Sequence, residues 1–136
     1  MINIKQEIIK ALKKEYGIKV SGEHTSQAFE PPRFFVKELL FQYSREIGGF
    51  RRGNYSFVIQ YFPDGLDPNR ECREMEKALW QLFDFFKELK LWPTSQSSEI
   101  AESVLHFFLD FSVRFEVERE DLERMQDLSV RSDLIE

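Results

Sequence analysis

Metal binding and most enzyme chemistry need particular side chains held close together, and this sequence offers few of them at useful spacing. Its two histidines, His24 and His106, stand more than eighty residues apart. Neither belongs to an HxH, HExxH or CxxC pattern, the spacings that bring two ligands to one ion. His106 and Asp110 would share a strand face, but four residues along a strand span about 13 Å, too far to grip a single ion. Cys72 is the only cysteine. It lacks any cysteine-protease context and reads as a buried thiol, unable to form an internal disulfide. No GxSxG elbow is present to activate a serine. The run Gly48-Gly49-Phe50-Arg51-Arg52-Gly53 does not match the GxxxxGK phosphate loop, and turn geometry explains its glycines more simply. Acidic residues number 24, yet none lies in an apolar neighbourhood that would raise its pKa for acid–base work. The expectation is a protein that is not an enzyme, with no catalytic residue, no metal and no cofactor.

Two features remain that suit binding rather than reaction. Arg45, Arg51 and Arg52 flank a glycine-rich turn and form the one basic motif, a candidate interface or DNA-facing site. The second is an aromatic load of 14 phenylalanines in 136 residues. Phe34, Trp80 and Phe108 fall opposite the main apolar stripes of their segments and are candidate subunit contacts. An overall basic footprint for nucleic acid is missing. The net charge is −5, and residues 116 to 136 alone hold eight acids against three arginines, so the rest of the chain is neutral. Any electrostatic contact with DNA would be local.

These residues need elements to position them. Residues 2 to about 16 read as an amphipathic helix, with Ile4 or Ile8, Ile9, Leu12 and Tyr16 at three- and four-residue steps and Gly17 as the stop. A short strand from Ile18 to His24 follows, then an extended Glu30-Pro31-Pro32 connection. Arg33–Arg45 is strand-like, with Phe35, Leu39, Phe41 and Tyr43 expected on one face. Asn54–Phe62 alternates, placing Tyr55, Phe57, Ile59 and Tyr61 together, and the two runs read as a β-hairpin. Asp67-Pro68 caps a helix expected to reach about Leu91, with Cys72, Met75, Leu79, Leu82, Phe83, Phe86 and Leu89 on its apolar stripe. Trp92-Pro93 ends it, and Thr94–Glu99 reads as a polar loop. From Glu102 to Glu118 the odd positions Leu105 to Val117 are all apolar, the strongest strand signal in the chain. At about 3.3 Å per residue such a strand would reach some 50 Å, so it should bend, bulge or extend beyond its own domain. Phe111 and Phe115 are expected in its core.

The fold class is therefore α+β, a mostly antiparallel β-sheet packed against an N-terminal helix and one long central helix. Residues 1–120 form one domain, and 121–136 read as an acidic arm or a short helix with Leu122, Met125 and Leu128 at helical spacing. No apolar run approaches the roughly 20 residues that span a bilayer, and the charged N-terminus lacks the h-region of a signal peptide. No membrane partner is expected, and the protein should be made and kept in the cytoplasm.

The order of motifs resembles the phage tail-terminator family of myophage-like prophages, over roughly residues 1 to 118. The resemblance rests on FEPPRFFVKEL, RRGNYSFVIQYFP (Arg51 to Pro63), NRECREMEKALWQLFDFF and ESVLHFFLDFSVRFEVE, with VLHFFLDF (Val104 to Phe111) among its most specific parts. It implies a structural virion protein: a homo-hexameric ring on the end of the tail tube that stops tube polymerisation and offers a surface to the head-tail connector protein, with DNA able to pass through its lumen. Its partners would be itself, the tail tube protein and the connector, and its destination the virion tail. Other readings stay open at this point: a head-tail connector or completion protein, a small adaptor, or a DNA-binding module built on Arg45, Arg51 and Arg52. Reversing Arg51 and Arg52 to glutamate is expected to reduce tail joining while leaving the fold intact.

Overall fold

The computed structural model describes residues 3–22 and 30–117; His24 and the segment 121–136 lie outside them. Two helices and five strands follow in the order α1 (Ile4–Tyr16), β1 (Lys19–Ser21), β2 (Arg33–Arg45), β3 (Phe50–Phe62), α2 (Pro68–Leu82), β4 (Ser95–Ala101) and β5 (Val104–Glu116). The strands make one sheet in the order β1-β2-β3-β5-β4. Every pairing is antiparallel except the short parallel β1–β2 contact. This is the expected α+β architecture.

Local chemistry sets the helix ends. Asn3 caps α1 by accepting the Gln6 N–H at 3.1 Å, and Gly17 ends it in the left-handed conformation, φ +66°, where its N–H reaches the Lys13 carbonyl. Ile4, Ile8, Ile9 and Leu12 then share one buried face. Asp67 caps α2 by accepting the Arg70 N–H at 3.3 Å, with proline at the first turn. Both helices lie on the same face of the sheet, where their apolar stripes join Phe34, Phe57, Ile59, Phe107 and Leu109 in one core.

Three expectations are corrected. The central helix ends at Leu82 rather than near Leu91; Phe83 caps it, and a turn closed by a Phe86–Leu91 bridge follows. The polar run after Trp92-Pro93 is not a loop but the edge strand β4, whose alternate residues face solvent, so it carries no apolar signal. On β2, Phe34 and Val36 point into the core instead of Phe35. A β-bulge causes this: Leu39 is an extra residue between the Glu38–Phe57 and Leu40–Ser56 pairs, so the inward parity is even before it and odd after it. Phe41 and Tyr43 therefore do share a face with Tyr55.

The bulge begins an overhang. β1 pairs only with Arg33–Phe35, which leaves β2 from Val36 onward as an edge, and β4 covers β5 only as far as Asp110. Beyond that point β2, β3 and β5 continue as a three-stranded arm to the turn at Ile47–Gly49, closed by the Glu46 N–H to Phe50 carbonyl bond at 3.0 Å and the Val117 N–H to Gly49 carbonyl bond at 2.8 Å. The final strand is Val104–Glu116, shorter than the Glu102–Glu118 run expected, and it stays in the sheet, paired with β3 from Leu105 to Glu116.

Candidate assembly interface

The arm has two faces of different character, and strand alternation decides which residue goes where. On the face continuous with the helices, Phe41 lies 4.9 Å from Tyr55 and Tyr43 lies 6.1 Å from Phe115, ring centre to ring centre. Phe41 and Tyr43 remain 41% exposed, because the helices sit over the other end of the sheet. Tyr55 is nearly buried, and desolvation first, then the Glu38 carboxylate, raises its phenol pKa. A shallow pocket under the start of α1, lined by Asn3, Lys5, Glu38, Phe41 and Tyr55, joins this patch to the domain body.

The opposite face of the arm is polar and ordered around Glu46. Its carboxylate meets Arg52 at 3.5 Å and Arg114 at 3.4 Å. Arg52 also donates to the Ser112 hydroxyl at 2.8 Å, and the Arg114 guanidinium lies 4.0 Å over the Phe50 ring. These pairs are half-exposed, so they fix the shape of the turn more than they stabilise the fold. Sequence reasoning missed Glu46 and Arg114. The available signal was a lone acid beside Arg45 at the turn, with Arg114 at an even, outward position of the final strand.

The three arginines singled out from the sequence do not form one cluster. Arg45 and Arg51 are cross-strand partners on the aromatic face, whereas Arg52 lies on the polar face. Arg45 is exposed. Arg51 is 1% exposed, and its guanidinium donates to the Phe50 carbonyl at 2.7 Å and the Gly48 carbonyl at 3.3 Å. That corrects the picture of Arg51 as a side chain presented at the tip: its charge is spent inside the turn.

The three aromatic candidates are also separated. Phe34 is wholly buried between Tyr16 and Tyr61 and belongs to the core, so it offers no surface to a subunit. Trp80 stands edge-on to Phe107 at 5.9 Å and is 41% exposed, beside the Glu76–Ser98 hydrogen bond that ties α2 to β4. Phe108 is half-buried on the face away from the helices, with Val58 and Ser97 as cross-strand neighbours.

Among the described residues, no group of three metal-ligating side chains comes together. The Cys72 thiol is buried and donates to the Ser103 carbonyl at 3.7 Å; burial raises its pKa, opposed by a hydrogen bond at Leu105. His106 pairs with Gln60 at 3.2 Å on the outward face. No helix of the described residues is long and apolar enough to cross a membrane.

What fold and surface define is a small α+β domain with one end of its sheet sealed by helices and the other left open as an aromatic arm with strand edges. A family model described as phage tail terminator protein matches residues 3–124. The chain belongs to the phage tail terminator family, a family of structural proteins of the virion tail that work in assembly with other tail components. No curated protein matches the chain at a significant level.

Proposed function

We propose that this protein closes into a homo-oligomeric ring, a hexamer by the family resemblance, on the end of the completed tail tube, where it stops further polymerisation of the tube protein and offers its other side to the head-tail connector. The observation that supports this reading best is the arm. On β2 from Val36 onward, and on β5 beyond Asp110, the backbone N–H and C=O groups that point away from β3 have no strand beside them among the described residues. Such edges pair readily with another chain. Two different edges on one subunit favour head-to-tail contacts, which give a finite ring when the rotation closes. The exposed Phe41 and Tyr43, both on the open part of β2, would add apolar area at those contacts.

DNA passing through the lumen is compatible with such a ring, but the arginines are better suited to protein contacts. Arg52 and Arg114 share one carboxylate, and the chain carries a net charge of −5. A ring that only encloses DNA needs no strong phosphate grip.

The test is a polymerisation assay with purified tail tube protein, followed by electron microscopy of tube lengths. Adding this protein should arrest growth and narrow the length distribution, with density at one end of each tube. Tubes that grow equally long with and without it would overturn the proposal.

A further inference from the structure

From Val36 onward β2 has no strand on its outer side among the described residues, and its side chains there follow a particular order. Counted by their partners on β3, the residues from Arg45 to Glu38 occupy seven rungs, with Arg45–Arg51 at the tip and Glu38–Phe57 at the root. The rungs that face the helix side carry Arg45, Tyr43, Phe41 and Glu38. The bulge at Leu39 puts Glu38 on this face, since a regular strand would have turned it to the other. The row therefore reads cation, aromatic, aromatic, anion, and all four side chains are exposed. Neither Arg45 nor Glu38 belongs to an ion pair among the described residues. The neighbouring cations on this face are engaged elsewhere: Lys5 donates to the Gly22 carbonyl at 2.8 Å, and Arg51 donates to the Phe50 and Gly48 carbonyls.

An edge strand with that order is complementary to itself. Turned about a two-fold axis through Gln42, the middle rung, and paired antiparallel, it sets Arg45 opposite Glu38 and Tyr43 opposite Phe41, and it repeats both contacts across the axis. The other open edge offers no such match. Beyond Asp110, β5 presents Phe111, Val113 and Phe115 to the same side, with no charge among them.

We propose that β2 of one subunit pairs antiparallel with β2 of a second copy of this chain, forming a two-fold dimer centred on Gln42 and held in register by two reciprocal Glu38–Arg45 ion pairs that flank the Phe41 and Tyr43 rings of both copies. The contact is short and lies outside the helix-covered core, so the subunit folds without it and the dimer forms reversibly with concentration. Its consequence for assembly rests on the ring reading above: the dimer hides one of the two edges that a ring uses, so a subunit joins a ring only by exchanging this contact for contacts at a tube end.

Sedimentation velocity of the full chain over a range of concentrations reads the association state. Wild type is expected to pass from monomer to dimer and no further. Glu38→Arg leaves only cations on the row and Arg45→Glu only acids, and each should dimerise about tenfold more weakly or worse. An equimolar mixture of the two should recover the dimer, and so should one chain carrying both changes. The register is read with Gln42→Cys, which places a thiol on the axis. It should form a covalent dimer on mild oxidation, about tenfold more than Ser44→Cys, whose two copies would stand four rungs, about 13 Å, apart. The buried Cys72 is common to all these proteins. A monomer at every concentration, assemblies larger than two, charge-reversed variants that dimerise as strongly as wild type, no recovery on mixing, or equal cross-linking at both cysteines would overturn the proposal. Should a charge variant fail to fold, the two cysteine variants decide alone. None of these readouts involves tail tubes, so failure here leaves the ring reading to be judged by its own assay.

Discussion

Phe111 and Phe115 lie on the same side of β5 but in different surroundings. Phe111 is 1% exposed, edge-on to Phe57 and Phe86 in the core. Phe115 lies out on the arm against Tyr43, only partly buried. Phe111→Ala should cost about 3 to 5 kcal/mol in denaturant unfolding. Phe115→Ala should cost less than half of that, and equal losses would mean that the arm is as well covered as the core. The odd-position alternation made the inward direction of both legible in the sequence. It could not show how far the helices reach over the sheet, which separates the two. A similar limit applied to Arg51 and Arg52, adjacent in sequence and on opposite faces in the fold. Arg51→Glu would place an unpaired carboxylate at a buried site and should cost about 3 kcal/mol or more. Arg45→Glu together with Arg52→Glu should leave the melting temperature nearly unchanged. The reversal that leaves the fold intact, and so the informative one for tail joining, is that second pair. Loss of folding in it would show that the Glu46–Arg52 pair holds the fold and not only the shape of the turn.

At the scale of elements, helices and central strands were legible because burial on one face imposes a period, 3.6 for α1 and α2 and 2 for β3 and β5. β4 was hidden because it is an edge strand of serines and glutamine whose pairing comes from the backbone. The Leu39 bulge was hidden because one inserted residue reverses the parity of β2, which no single-strand pattern reveals. Bulges increase local twist and so aim the strand beyond them. Deleting Leu39 would restore a regular ladder while keeping Phe41 opposite Tyr55. The domain should stay folded by circular dichroism, and tube capping should fall. Undiminished capping by a folded deletion variant would show that the direction of the arm is immaterial.

At the scale of the whole molecule, the groups with clearly shifted ionisation among the described residues are Tyr16, Tyr55, Tyr61 and Cys72, all raised, with burial as the largest cause in each. Each prefers its neutral form in the folded state. The stability they contribute is therefore full below the unfolded ionisation range, near pH 9 for the thiol and pH 10 for the phenols, and is lost as pH rises through the higher folded values. Urea midpoints should be flat on this account up to about pH 9 and then decline. A midpoint that rises between pH 9 and 11 would contradict it. The candidate surface was only partly legible in the sequence, since the aromatic load and the overlong strand announced a partner while the edges that would meet it depend on where β1 and β4 stop. Mass measurement of the protein bound to the ends of purified tail tubes, by native mass spectrometry or single-particle imaging, tests the central claim most directly. Assembly by the arm predicts a closed ring of fixed subunit number, six by the family resemblance, at one end of each tube. Single subunits scattered along the tubes, or open chains of variable length, would contradict it.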